Sequence, residues 1–584
     1  MPQLAAETLA PLDSAWNASL LELAERCRQL NRADLATRTD AWRTDRQGKA
    51  TRIYLHTDEP MSQPQAGDQV AAFWQQRIEH LRKERASELL VVAKSVAKQH
   101  GDLGFQLCHE ALQLDPEHPV ARALLGQRAN LARDAAVRRP PLAKAGIREH
   151  YRIRTPHFEI LSEAGETAGR ELAREAEALF AAWSQLFFEW WSDGETLQRR
   201  LDSPASIMPS TGRLRVVLFQ DRERYLAALR PKEPRIEVSV GLYLPADRTS
   251  YFYADKEDAS RTWRHELTHQ LFAEVRRTAP NAGLRRNYWL LEGIAMYMES
   301  LQLSADSASE PQWLQLGGPG VDRLQFARLR RAPDRAALLE LIKMGRGDMQ
   351  RRQDLSELYS NAAGVTCFLM DGQRGQLRKS CVKLLELTYQ GRDDDDSLLQ
   401  LSGHDVDSFV AAYHEFLADM TDADMAQLGP VRNLCLRGTA VTAAGLRQLD
   451  ASRLKWLDVA GRPYGDDDLL AALGKAKQLE QLNVEATQVT DALLVNGPLL
   501  QQRWPALREL DLSATAVTDA AVQRLTMLSL DVLWLNQTRL TAAGCRQLGQ
   551  LQSLRTLGVA GLPIDGQDVE RLKRDLPHLE AIHQ

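Results

Sequence analysis

The sequence is poor in cysteine and has none in a paired motif. Its six, Cys27, Cys108, Cys367, Cys381, Cys435 and Cys545, are scattered, with no C-x-x-C. That spacing argues against a cysteine-type zinc site and against a disulfide scaffold, and leaves buried or idle thiols. No apolar run reaches the roughly 18 residues of a membrane span, so none is expected. Neither sign of charge dominates: 73 Lys+Arg face 78 Asp+Glu, for a formal net charge of −5. A dedicated nucleic-acid binder would carry a basic footprint, so no nucleic-acid partner is expected. The opening MPQLAAETLAPLDSAWNASL has no basic n-region and no continuous apolar stretch. No secretory signal is visible there. The expected location is cytoplasmic, or secreted or periplasmic if a leader has been removed.

What is present is ordinary globular material. Hydrophobic residues make up 44% and charged residues 26% of 584, enough for several packed cores. At roughly 100–200 residues per domain, three or four domains are expected.

Residues 1–140 read as helical. Within them GFQLCHEALQLDPEHPVARALLGQ has the helix, turn, helix form of one tetratricopeptide-like hairpin. A repeat array needs about three such units, so a helical brace is the plainer reading, with peptide binding as the alternative. Arg138-Arg139-Pro140-Pro141 breaks the pattern and reads as a linker. Residues 150–422 place strands first: His157–Ile160, Leu214–Phe219, Val238–Leu244 and Ser250–Tyr253, with a helix at Glu166–Trp190 among them. A helical pattern from Ala259 to about Thr421 follows, an α+β order.

Residues 430–584 repeat. Leucines at 434, 457, 482, 510, 533 and 557 each open an L-x-L or L-x-V segment, and most are followed by a Thr five positions on. The pattern resembles leucine-rich repeats of the longer, helix-containing kind. L-x-L predicts a short strand, the Thr serves the turn, and a helix returns the chain. One unit cannot bury its apolar face alone, so the units must stack as an α/β solenoid. Alternation along the strands places Cys435, Asp458, Asn483, Asp511, Trp534 and Gly558 on the concave face, a row suited to a protein partner.

The chemistry gathers in Ser260-Arg-Thr-Trp-Arg-His-Glu-Leu-Thr-His-Gln-Leu-Phe272. His265 and His269 are four apart, hence about 40° apart around a helix, and can reach one metal ion. Glu266 can take a proton from water activated by the metal. Trp263, Leu267 and Leu271 can bury the other side. H-E-x-x-H alone arises by chance often enough to need a second element. Trp289-Leu-Leu-Glu-Gly-Ile-Ala-Met-Tyr297 provides it, because catalytic zinc takes three protein ligands and Glu292 is the natural third.

H-E-x-x-H followed by W-L-x-E-G-x-A-x-Y resembles the gluzincins, metallopeptidases whose third ligand is a glutamate. The resemblance implies a zincin-like fold, Zn2+ held by His265, His269 and Glu292, and Glu266 as general base. It also implies hydrolysis of a protein or peptide substrate. The helical lead-in, the His157-Phe-Glu-Ile160 strand and the Val216-Val-Leu-Phe219 strand resemble a bacterial branch, the domain of unknown function 1570. The resemblance spans about residues 1–420 and is strongest over 205–300. A metzincin would show Gly at 272 and His at 275, where this chain has Phe272 and Val275. The M-E-N-type strand of gluzincin aminopeptidases is absent, so an endopeptidase is implied.

The helix that begins near Tyr359 resembles the one that in many gluzincins gives a tyrosine to the oxyanion. Tyr359 reads either as that group or as a Tyr packed at a helix start. Glu299 reads either as a carboxylate holding a ligand histidine or as a surface residue. In the clan, an edge strand such as Val238–Leu244 pairs with extended substrate. The Asp393–Asp396 run reads as a solvated loop, since calcium sites need spaced ligands around a Gly turn. Two functions follow: a peptidase whose repeats recruit a protein partner, or a non-catalytic interaction protein with a structural zinc.

Overall fold

The computed structural model describes residues 2–44, 46, 48–55, 68–126, 136–142, 146–209, 212–234, 236–254, 259–302, 313–330, 333–495 and 500–584. The chain is multidomain and mixed α/β, with several sheets, one of them wholly parallel. It forms two compact units. The first comprises Met1–Gly318 and Leu338–Asp405, the second Pro319–Ala337 and Val406–Gln584. Gln127, at the end of the expected hairpin, lies outside the described residues. Among those described, no helix is long and apolar enough to cross a membrane.

The first 140 residues do not cluster apart from those that follow. Helices Pro2–Gln29, Gln69–Val96, Gly101–Leu114 and Pro119–Leu125 bury Leu20, Ile78, Leu89, Phe105 and Leu124 in one core. That core also takes Phe188, Leu197 and Leu201. The strand Thr51–Tyr54 pairs antiparallel with Trp313–Leu316, and the Gln185 amide bonds both the N–H and the C=O of Tyr54, at 3.0 and 2.9 Å. Neither strand is legible in a helical pattern. The hairpin itself is present, with Pro119 at the first position of its second helix, where a missing N–H costs nothing.

A six-stranded mixed sheet lies behind the site. Its order is Val137–Arg139, His150–Arg154, Phe158–Ser162, Leu214–Phe219, Thr249–Tyr253 and Leu242–Leu244. Phe158–Ser162, Leu214–Phe219 and Thr249–Tyr253 run parallel at its centre. Both faces of the central strands are covered, which is why Leu214–Phe219 reads as a nearly unbroken apolar run. The expected linker at Arg138–Pro141 is a correction: Val137–Arg139 is a strand, paired with His150–Arg154. The expected strand Val238–Leu244 is shorter, because Ile236–Val238 is a 3-10 turn and only Leu242–Leu244 pairs.

In the second unit seven strands lie parallel in chain order: Asn433–Cys435, Trp456–Asp458, Gln481–Asn483, Glu509–Asp511, Val532–Trp534, Thr556–Gly558 and Ala581–His583. Leu434, Leu457, Leu482, Leu510, Leu533 and Leu557 stand directly opposite one another, with Ile582 the seventh in line. The turn threonines act as their spacing predicts. Thr439, Thr487, Thr515 and Thr538 donate Oγ1 to the carbonyl three residues back, at 2.5–2.9 Å. A second ladder ties several successive turns together. Asp422, Asp466, Asp491 and Asp519 each accept both the N–H and the Oγ1–H of a threonine, Thr442, Thr490, Thr518 and Thr541 respectively.

Helices Asp322–Arg330 and Val406–Ala418, which sequence reading put in the 150–422 region, cluster with the repeats. Phe326 stacks on Trp456 at 5.4 Å, the Gln325 carbonyl oxygen accepts the Cys435 N–H, and Arg328 donates to the Leu417 carbonyl. The concave row expected from strand alternation is only partly open. Cys435 and Asp458 are buried. Asp458, Asn483 and Asp511 use a side-chain oxygen to take the N–H two residues on, closing their own turns. Gly558 makes room for Trp534, whose ring a Cβ there would meet at 2.3 Å.

Candidate metal centre

The Ala259–Val275 helix buries Trp263, Leu267 and Leu271, the face its spacing predicts. His265 and His269 point away from that face. Phe272, where a metzincin has Gly, packs edge-on against Trp183, Phe187 and Trp190.

Glu292 comes from the Tyr288–Met298 helix, every residue of which is buried. The start of that helix is pinned. Asn287, buried and in the left-handed region at φ 51°, donates its amide to Asp393 at 2.8 Å and accepts from the Trp289 indole at 3.1 Å. Arg286 pairs with Asp395 at 2.6 Å. The Asp393–Asp396 run is therefore docked beneath this helix rather than merely solvated. Gly293 follows the ligand, and a Cβ on it would lie 2.0 Å from Thr366 Oγ1 and 2.8 Å from the Ala362 carbonyl. Its absence lets the Leu355–Gly375 helix, which carries Tyr359, lie against the Glu292 helix.

These elements bring three sequence-predicted residues to a point. His265 Nε2 and His269 Nε2 are 3.3 Å apart. Glu292 Oε2 lies 3.4 Å from His265 Nε2, and Glu292 Oε1 lies 3.6 Å from His269 Nε2. Among the described residues this is the group of His, Cys, Asp and Glu able to hold a metal ion, its ligand atoms all within 4.8 Å of one another.

The surroundings orient the set. Glu299, buried, bonds His265 Nδ1 through Oε1 at 2.9 Å and takes Arg261 on Oε2 at 3.1 Å. His265 Nε2 is thereby turned toward the centre. Glu266 is not in the triangle. Its Oε2 accepts the Tyr243 N–H at 2.8 Å from the edge strand Leu242–Leu244, leaving Oε1 for chemistry.

Electrostatics separate the groups. Burial pushes the Glu266 carboxyl up to about 7. Burial also opposes charge on Glu292, but the hydrogen bond from His265 and the nearby imidazoles hold it down to about 2. His265, despite burial, is raised well above the ordinary imidazole value by Glu292 and Glu299. Burial pushes His269 down to about 4. Three carboxylates around two imidazoles make a site whose negative charge a cation would satisfy.

Tyr359 is placed at this centre. Its hydroxyl faces Glu292 and feels the Glu266 charge; burial first, then these carboxylates, raise its pKa. Sequence reading missed Tyr288, which also faces Glu292. Its position four residues before Glu292 on one helix was the available signal. It missed the Tyr243 N–H and Arg346 as well, which no local spacing marks.

No protein-family model and no curated protein matches this chain. The gluzincin resemblance rests on the motif residues.

Proposed function

We propose that the chain is a zinc-dependent endopeptidase of gluzincin type, with a zincin-like catalytic region and a leucine-rich repeat solenoid that recruits a protein substrate or partner. The observation that carries this reading is a His265–His269–Glu292 triangle with a separate buried carboxylate, Glu266, beside it. Three ligands about 2.0–2.1 Å from a tetrahedral zinc stand about 3.3–3.4 Å apart. Here the two imidazole nitrogens are 3.3 Å apart, and each meets its own oxygen of Glu292, at 3.4 and 3.6 Å; two imidazoles with one carboxylate are a donor set zinc accepts. Zinc held there would supply Lewis acidity to the scissile carbonyl and to water.

The protein does the rest. Glu299 fixes the His265 ring. Glu266 Oε1 takes the proton of the attacking water and passes it to the leaving nitrogen, while the Tyr243 N–H keeps Oε2 occupied and the carboxylate in place. Tyr359 donates its hydroxyl to the oxyanion that develops on the carbonyl oxygen.

The second reading is a non-catalytic interaction protein with a structural zinc. The half-exposed Trp534, tilted on His583 at 5.1 Å on the strand row, favours a binding surface. A purely structural metal has no use for Glu266, so the peptidase reading is preferred. The deciding experiment pairs metal analysis with digestion of an unfolded protein by wild type and Glu266→Gln. Retained zinc with hydrolysis down about 10²–10⁴-fold supports the peptidase. Absence of cleavage in the zinc-loaded wild type favours the interaction protein.

A further inference from the structure

Arg346 lies at the rim of the candidate centre with its charge unspent. The Arg346–Gln350 helix begins on it, just past a segment zipped to the start of the Glu292 helix. The Arg346 N–H donates to Gly283 O at 2.9 Å, Tyr288 N–H to Met344 O at 3.3 Å and Asn287 N–H to Ile342 O at 3.0 Å. Gly345 makes the approach possible, because a Cβ there would lie 2.1 Å from the Leu284 carbonyl oxygen. The backbone thus seats Arg346 beside Tyr288, one helical turn before Glu292.

Three nearby arginines are paired. Arg351 bonds Asp348, Arg352 bonds Asp354 and Glu340, and Arg286 bonds Asp395. Asp348, only two residues from Arg346, goes to Arg351 and to the Gly345 N–H instead. The Arg346 guanidinium is exposed and makes no hydrogen bond or ion pair among the described residues. Its charge nevertheless reaches Glu266, His269, Tyr288 and Tyr359.

We propose that Arg346 is a specificity-determining residue that binds a carboxylate of the peptide substrate next to the scissile bond. This rests on the peptidase reading. A planar guanidinium with free donors at an open rim suits a bidentate carboxylate. The carboxylate comes either from an acidic side chain or from the chain end of a short peptide.

The test uses zinc-loaded full-length protein and matched fluorogenic peptides. One set carries Glu, Gln or Lys beside the bond, with an amidated end. A second set is neutral, with a free or amidated end close to the bond. The wild type should favour a carboxylate-bearing member by about tenfold in kcat/KM, and the set in which this occurs names the source. Arg346→Ala should erase the preference, and Arg346→Glu should reverse it toward Lys or the amidated end, an inversion that misfolding cannot mimic. A preference unchanged in both variants, or none in the wild type, overturns the proposal. Binding of the same peptides to the Glu266→Gln protein, read by fluorescence anisotropy, covers the case in which nothing is cut. Failure of all cleavage defeats the peptidase reading. Charge-selective binding lost in Arg346→Ala/Glu266→Gln would still uphold the carboxylate site, and charge-blind or absent binding would overturn it.

Discussion

Gly293 and Thr366 meet where the helix bearing Glu292 crosses the helix bearing Tyr359, so closely that a Cβ on the glycine would lie 2.0 Å from the threonine oxygen. The glycine that follows the ligand in the motif is thus a packing requirement, and it couples the metal centre to Tyr359. Gly293→Ala should force the helices apart at a cost of about 1–3 kcal/mol. It should lower both the melting temperature and zinc retention. An unchanged thermal midpoint with unchanged zinc content would show that the crossing yields without consequence.

Glu299 holds His265 at 2.9 Å, and His265→Ala would remove a candidate ligand outright. Glu299→Gln should keep the fold but loosen the imidazole, weakening zinc about 10–100-fold, whereas His265→Ala should lose most of the metal. Competition against a chelator measures both. Equal zinc affinity in wild type and Glu299→Gln would assign Glu299 to Arg261 alone.

On the proposed mechanism Glu266 acts as a base only in its carboxylate form. Burial raises Glu266 to about 7, so its active form is lost as pH falls through that value, and a bound dication would move the limb lower. The kcat/KM profile should therefore fall on the acid side with an apparent pKa at or below about 7. Faster hydrolysis at about pH 5 than at about pH 8 would remove Glu266 from the base role.

Tyr359→Phe deletes one hydroxyl and little packing. A donor to the oxyanion should cost roughly 10²-fold in kcat with KM nearly unchanged. A variant that loses KM alone would make Tyr359 a substrate contact.

Asp491 ties two repeats together by accepting the Thr518 N–H and Oγ1–H at 2.8 and 2.6 Å. Asp491→Ala strands both donors and should destabilise the second unit by about 1–3 kcal/mol. Urea unfolding should shift its midpoint while zinc stays bound. The reverse pattern, zinc lost with the repeats intact, would contradict the division into two units.

Much of the site was legible because its determinants are local. The four-residue spacing of His265 and His269, the burying face of Trp263 and Leu267, and the in-line leucines of the repeats follow from helix and strand periodicity alone. The Glu292 motif was legible as a pattern, but its glycine was explained only by Thr366, far along the chain. Tertiary structure alone decided the rest. It turned Arg138 and its neighbours from a linker into a strand, because a partner strand was available at His150–Arg154. It sent Phe326 to the repeats, where Trp456 gives its ring a stacking surface, and it closed Asp458 and Asp511 onto their own turns. It seated Arg346 beside the candidate metal ligands through backbone hydrogen bonds, which carry no side-chain signature. Periodicity reports which face of an element is buried, and only the packed chain decides what lies against it.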